Sequence, residues 1–250
     1  NRLWQHHMGR GIVVTPSDVG TQGVPPTHPE LLDYMAMKMI NNGWRLKPIH
    51  KLILMSAVYR QSGDSDMLAA KKDPDNKLWW RRGSTRLEAE AIRDSMLAVA
   101  GSLDKSMYGK GTLDQSNPRR SVYLTVKRGQ LIPILQLFDA PDAIQGIGNR
   151  DVTTVPPQAL AMMNSPFVRR IAEKFALRVR PKGDVTVEQV VENAYTIALA
   201  RPPNNAESSR MIAFIDAQSD SYGGNEQGMV RAVADYCQLM LCLNEFVFID

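Results

Sequence analysis

Apolar residues recur every three or four positions along most of the chain, and that period predicts a mostly α-helical fold. The first clear stripe is Leu31, Leu32, Met35 and Met39, on a helix from about 28 to 41 that Asn42-Gly43 should stop. A second helix is expected from about Pro48, a favoured first-turn residue, burying Ile49, Leu52, Ile53 and Ala57. Ahead of them, 1–9 reads as the end of a helix closed by Gly9 and Gly11, and 12–27 is turn-rich. Thr85 and Glu88 have capping-box spacing and should open a helix whose apolar face is Ile92, Met96, Val99 and Leu103.

Four more helices are expected in the second half. Ser165-Pro166 opens one with Val168, Ile171, Ala172, Phe175 and Val179 inside. Thr186 and Gln189 cap the next, which buries Val190, Val191, Ala194 and Ala198. Asn205 should cap a third around Met211, Ile212 and Ile215. The last starts after Asn225 and turns Met229, Val233, Tyr236, Cys237 and Met240 inward, with "NEFVFID" as an extended tail.

Only one stretch alternates in the manner of a strand. "SVYLTV" (121–126) places Val122, Leu124 and Val126 on one side, so one short β element is expected there. Residues 61–85 are polar and irregular, with a short helix near 66–71. Adjacent Trp79 and Trp80 should point one in and one out. The segment 131–139 is apolar but interrupted by Pro133, and 140–152 is irregular. The picture is one irregular multi-helix domain over 1–250 with long ordered loops. The Gly/Ser/Asn-rich loop 105–120 is its candidate internal boundary.

Composition alters this little. A chain of 250 residues with 44% hydrophobic and 22% charged residues can bury a sizeable core. A net charge of +4 over so large a surface is a poor match to a nucleic-acid binder. No apolar run reaches the ~18 residues of a membrane span. The chain opens on Asn1, and Arg2-Leu3-Trp4 reads as helix interior, so a fragment of a longer protein is expected. Cys237 and Cys242 sit five apart on one helix, a spacing that sets them against a mutual disulfide. There is no CxxCH haem-attachment motif and none of the common cofactor fingerprints, so no cofactor is expected in this segment.

Eight blocks in order carry a family resemblance. They begin with "NRLWQHHMGRGIVVTPSDVGTQGVPPTHPELLDYMA", "LKPIHKLILMSAVYRQS" and "DPDNKLWWRRGSTRLEAEAIRDSMLAVAGSLD". "RSVYLTVKR", "LFDAPD", "NRDVTTVPPQALAMMNSPFV", "ALARPPNNAE" and "CQLMLCLNEFVFID" complete them. Together they resemble the planctomycete-type C-terminal domain of unknown function 1553. Met8, Val19 and Tyr34 stand where relatives tend to carry larger aromatics. "AIQGIGN" stands where relatives often carry cysteine. The resemblance implies a secreted, periplasmic or cell-envelope multidomain protein, often with a cytochrome-c-like domain upstream. It implies no catalytic residues.

Candidate chemistry remains to be placed. His6, His7, His28 and His50 all fall in the first fifth of the chain, and no HExxH or HxH occurs. A metal site would need His28, His50 and Asp18 brought together; hydrogen-bonding histidines are the plainer expectation, and metal binding is not expected. Thr27 and Glu30 suggest a capping box that would put His28 in the first helical turn. Arg86, Glu90, Arg93 and Asp94 are spaced for ion pairing along one helix. His28, Glu90 and Asp94 are therefore the catalytic candidates, and Asp18, Arg86, Arg93 and Arg150 the ligand-binding ones. Thr153 or Thr154 should cap a helix near Pro156, with Gln158 and Asn164 bonding loop backbone. Arg119, Arg120, Lys127 and Arg128 flank the expected strand as a polyanion patch or as charges guarding its edge.

These features favour a non-catalytic interaction or scaffold module docking on another domain of the same protein, such as the cytochrome-like one, or on a cell-envelope glycan. The alternative is an enzyme or substrate-binding subunit for sulfated or acidic polysaccharide, with the 15–30 loop, the 86–94 helix and Arg150 lining one cleft.

Overall fold

The computed structural model describes residues 1–141, 146–180 and 185–249. Within them the chain is mostly α-helical, with thirteen α-helices and one two-stranded antiparallel sheet. The sheet is not at 121–126; it pairs β1 (Thr85–Arg86) with β2 (Phe248–Ile249). No helix among the described residues is long and apolar enough to cross a membrane. Of the "AIQGIGN" block, 143–145 lie outside the described residues. The chain forms two compact units.

The first unit comprises Asn1–Thr85, Gly146–Arg150 and the C-terminal end. Its helices are α1 (Arg2–Met8), α2 (Pro29–Asn41), α3 (Leu46–Leu54), α4 (Ala57–Arg60) and α5 (Met67–Lys72). They enclose Trp4, Met8, Ile12, Met35, Ile49, Ile53 and Trp79. Leu31, Leu32 and Met39 pack beside this core, as their spacing predicts. Helix α3 begins at Leu46, two residues before Pro48, because a proline in the first turn removes no intrahelical bond. Ile49 and Ile53 take its inner face, so Leu52, one step round the helix, stays exposed, as does Ala57.

The expected THPE capping box does not form. His28 is the N-cap residue and makes no side-chain cap bond. Pro29 forces the residue before it out of helical geometry, which shifts the boundary by one. The Thr27 hydroxyl turns instead to Ile12 O at 3.3 Å and His28 Nδ1 at 3.0 Å.

The second unit comprises Arg86–Gln145 and Asp151–Phe248. In chain order its helices are α6 (Ala89–Val99), α7 (Pro133–Leu137), α8 (Pro156–Asn164), α9 (Pro166–Val179), α10 (Val187–Leu199), α11 (Asn205–Ser221), α12 (Glu226–Cys242) and α13 (Asn244–Val247). Helix α12 is the hub and packs against α8, α9, α10 and α11. Val233, Tyr236, Cys237 and Met240 face inward, and Tyr236 Oη donates to Val191 O at 3.3 Å. All five core positions expected on α9 are buried. Cys237 and Cys242 are free thiols; burial pushes both upward in pKa.

Several local expectations need correction. Ser121–Tyr123 is a single 3-10 turn; Val122 and Val126 are exposed and only Leu124 is buried. The alternation was real in the sequence, but the 3-10 turn breaks the extended geometry, so Leu124 alone reaches the core and Val122 and Val126 stay outside. Thr85 belongs to β1 and Glu88 is itself the N-cap of α6, so they form no capping box. Asn204, not Asn205, caps α11, in a box with Glu207. Val155 rather than Thr153 or Thr154 is the N-cap of α8. The tail forms α13 before its extended end. The 105–120 loop lies wholly inside this unit.

Candidate functional site

A cleft of about 710 Å³ lies in the first unit, lined by Arg10, Arg81, Arg82, Asp64, Asp75, Asn76, Trp79 and neighbouring residues. Its wall begins where α1 ends. Gly9 closes that helix in the left-handed region at φ 79°, which glycine adopts without steric cost. The chain can then bring Arg10 out beside the 73–82 segment. Arg10 donates from its two terminal nitrogens to Asp75 O at 3.0 Å and Asn76 O at 2.7 Å. The same guanidinium lies 5.1 Å from the centre of the Trp79 ring.

The 73–82 segment is shaped by its own side chains. The Asp73 carboxylate accepts from the amides of Lys77 at 2.9 Å and Leu78 at 2.7 Å. Burial raises its pKa, but those two amides and the Arg10 charge outweigh burial and hold it below the usual range. Asn76 sits at φ 51°, a conformation asparagine tolerates, and bonds Arg81 O at 2.9 Å. The Trp80 indole donates to Asp73 O at 2.8 Å, so Trp79 is left facing the core, where it meets Trp4 edge-on at 5.6 Å between ring centres. Trp79 is buried and Trp80 half-buried, which agrees with the in-and-out expectation.

Arg82 is almost fully buried. It donates to His7 O at 2.9 Å, approaches Met8 Sδ at 3.1 Å and stacks 4.3 Å over the Tyr59 ring. Behind it His7 and His50 share a 2.7 Å hydrogen bond. Burial, then the proximity of His50 and the Arg82 charge, lower the His7 pKa and favour the neutral form of that ring. Arg81 is the least constrained of the three: its guanidinium lies 5.0 Å from the Trp80 ring, with Nε buried and unpartnered. Asp64 accepts from the Ser62 hydroxyl at 2.6 Å, and Asp75 meets Lys77 at 3.1 Å. The result is a polar cleft with a fixed aromatic floor and guanidinium groups on preset backbone supports. Planar donor forks of this kind match carboxylate and sulfate groups.

None of the catalytic, ligand-binding or polyanion candidates expected from the sequence lines this cleft, although Met8 and Trp79 do. Asp18 is exposed, and its backbone carbonyl accepts from Thr15 Oγ1 at 2.7 Å. His28 bonds Thr27, and His50 bonds His7, so they do not assemble with Asp18. Among the described residues no three His, Cys, Asp or Glu side chains are placed to share a metal. Arg150 is half-buried.

In the second unit Arg86 lies on β1 rather than on the helix its spacing suggested: it bonds Asp139 at 2.8 Å, and Asp139 in turn accepts from Thr153 N at 2.8 Å. Gln158 accepts from Val155 N at 3.3 Å, as expected of a residue serving loop backbone, and donates to Leu137 O at the end of α7 at 3.0 Å. Arg93 is completely buried and donates to the carbonyls of Gln115, Asn117 and Arg119. Asp94 accepts from Ser121 N at 2.8 Å and Ser121 Oγ at 2.7 Å. Glu90 is half-buried on α6. Arg119 turns onto its own loop, 3.9 Å over the Tyr123 ring, while Arg120, Lys127 and Arg128 are exposed. A second cavity of about 100 Å³, between Phe138, Met162 and Val168, is apolar in character.

The cleft residues had one signal in the sequence. "WWRR" (79–82) places two aromatics beside two cations in an irregular segment. Arg10, from far along the chain, has no such mark. A family model described as PSD1, protein of unknown function (DUF1553), matches residues 1–215. No curated protein matches the chain, and no solved structure does.

Proposed function

The chain belongs to the PSD1 family of proteins of unknown function (DUF1553), and we propose that it serves as a non-catalytic interaction module of a larger exported protein, holding acidic groups of a cell-envelope glycan in its arginine-lined cleft. The observation that carries this reading is the Arg10–Arg81–Arg82 set around Trp79. Arg10 and Arg82 are fixed by backbone carbonyls and stacked on aromatic rings, so their charges need little reordering to meet a ligand. Carboxylate or sulfate groups on a saccharide suit such forks, and the Trp79 ring beneath Arg10 holds that guanidinium in place. A hydrolytic reading built on Asp94 has less support, because that carboxylate already caps the Ser121 turn.

Arg81 is the clean test, since its guanidinium holds no backbone carbonyl in place. Arg81→Gln should leave the melting temperature unchanged. By calorimetry it should weaken binding of uronate- or sulfate-bearing oligosaccharides by about ten-fold, the loss of one charge-assisted contact. Added salt should weaken the parent interaction too. Equal affinity for neutral and acidic oligosaccharides, or none for either, would sink the proposal.

A further inference from the structure

The α2–α3 hairpin carries two apolar faces where a packed helix pair needs one. Leu32, Met35 and Met39 are turned to the core, with Ile49 and Ile53 across from them. Yet Met37 and Ile40, three apart on the outer side of α2, are 54% and 47% exposed. The chain then turns at Gly43 and Trp44, and Leu46 opens α3 at 48% exposure. Trp44 is the apex of this turn and is 68% exposed. It sits at φ 62°, in the left-handed region that a bulky side chain rarely adopts, with its amide donating to Met39 O at 2.9 Å. An indole is thus held outward in an unfavourable backbone conformation, with no burial in this chain to offset it.

The charge around the apex is of one sign. From Tyr34 to Gly63 the chain has five Lys or Arg residues and no Asp or Glu. Lys38, Arg45, Lys47 and Lys51 are all exposed and bracket the apolar tip. A protruding tryptophan and leucine ringed by long cationic side chains is the chemistry of an interfacial anchor. The indole sits at headgroup depth, the apolar neighbours enter the acyl boundary, and the cations meet anionic headgroups.

We propose that the apex of the α2–α3 hairpin docks the protein on an anionic lipid surface, with Trp44 and Leu46 as the inserted residues and Lys38, Arg45, Lys47 and Lys51 as the headgroup contacts. The surface is remote in sequence and in residues from the arginine cleft, and the two ideas stand or fall separately.

The full chain can be mixed with vesicles of phosphatidylcholine alone or of phosphatidylcholine with phosphatidylglycerol, and binding read by co-sedimentation. We expect the protein to pellet with the anionic vesicles only, to be released by high salt, and to show a blue-shifted tryptophan emission on binding. Trp44→Gly suits the left-handed backbone, so it should fold at least as well as the parent. It should bind about ten-fold more weakly and lose the blue shift. The double variant R45E/K47E should abolish pelleting. Arg81→Gln should pellet like the parent, which separates lipid docking from glycan binding. No pelleting of the parent, equal pelleting on neutral vesicles, or unchanged binding by Trp44→Gly would each overturn the proposal; the last would point to an acidic protein partner or to charge alone.

Discussion

Arg93 shows how one residue can organise a loop from inside the core. Its side chain is fully buried, and burial lowers its pKa, though Asp94 and Asp114 offset this and a guanidinium stays charged at any ordinary pH. What holds the charge there is a ring of acceptors: the carbonyls of Gln115, Asn117 and Arg119 and the hydroxyl of Ser121. The sequence spacing of Arg86, Glu90, Arg93 and Asp94 suggested pairing along one helix. The structure keeps one such pair, Arg93 with Asp94 at 3.4 Å, but sends Arg86 to Asp139 and most of the Arg93 donors to backbone carbonyls more than twenty residues away. Carbonyl acceptors have no sequence code, so this use of Arg93 could not be read from residue types. Replacing Arg93 with Ala should cost about 3–5 kcal/mol in urea unfolding, because it strands several buried carbonyls. Arg93→Lys keeps the charge but not the fork, and should lose most of that amount as well. Limited proteolysis of either variant should cut first within 105–120. A lysine variant as stable as the parent would mean that charge, not the planar fork, secures the loop.

At the scale of elements, what was legible depended on where the partner of each residue lay. The core faces of α9, α10 and α12 were read directly, since a period of 3.6 residues reports burial on a helix packed on one side. The Thr186–Gln189 box was read for the same reason: both partners are local. Thr85–Glu88 and Thr27–Glu30 have equal local merit and fail. Thr85 is drawn into β1, and Pro29 dictates the geometry of His28. The 121–126 stretch fails because alternation announces a strand only if a neighbouring strand and a covering layer exist, and those are tertiary facts. The cleft was the least visible, since Arg10 and the 73–82 segment meet only through folding. These distinctions can be measured. Asn204→Ala and Thr186→Ala should each cost about 1 kcal/mol in chemical denaturation, the usual worth of a cap. Asn205→Ala, one position into α11, should be close to neutral. Comparable losses at Asn204 and Asn205 would show that the helix start had been placed one residue too early.

For the molecule as a whole, the displaced titrations point the same way at each end of the pH scale. Glu207, gripped by Arg201 and capping Asn204, is held from the ordinary 4.5 down to about 2. Arg180 lowers Glu226, and Ser106 and Ser116 lower Asp104 and Asp114. A carboxylate whose pKa is lower in the folded state binds protons more readily when unfolded. Its stabilisation is complete above the unfolded value and is lost as the pH falls through the folded one. His7, lowered by burial and by His50, begins that loss earlier, below its ordinary 6.5. At the other end Tyr236, Cys237 and Cys242 are raised by burial, so the unfolded chain ionises first and stability falls as the pH climbs past about 9. The melting temperature should therefore be flat between about pH 7 and 8.5, decline gently below 6.5, drop steeply from about pH 4.5 towards 2, and decline again above about 9. Glu207→Gln separates the ion pair from the rest of the acid arm. It should lower the melting temperature at pH 7, and the gap from the parent should close as the pH approaches 2, where the parent's Glu207 is itself protonated. A gap that stays constant from pH 7 to 2 would show that Glu207 stabilises the fold through its neutral hydrogen bonds, and that the Arg201 pairing contributes nothing.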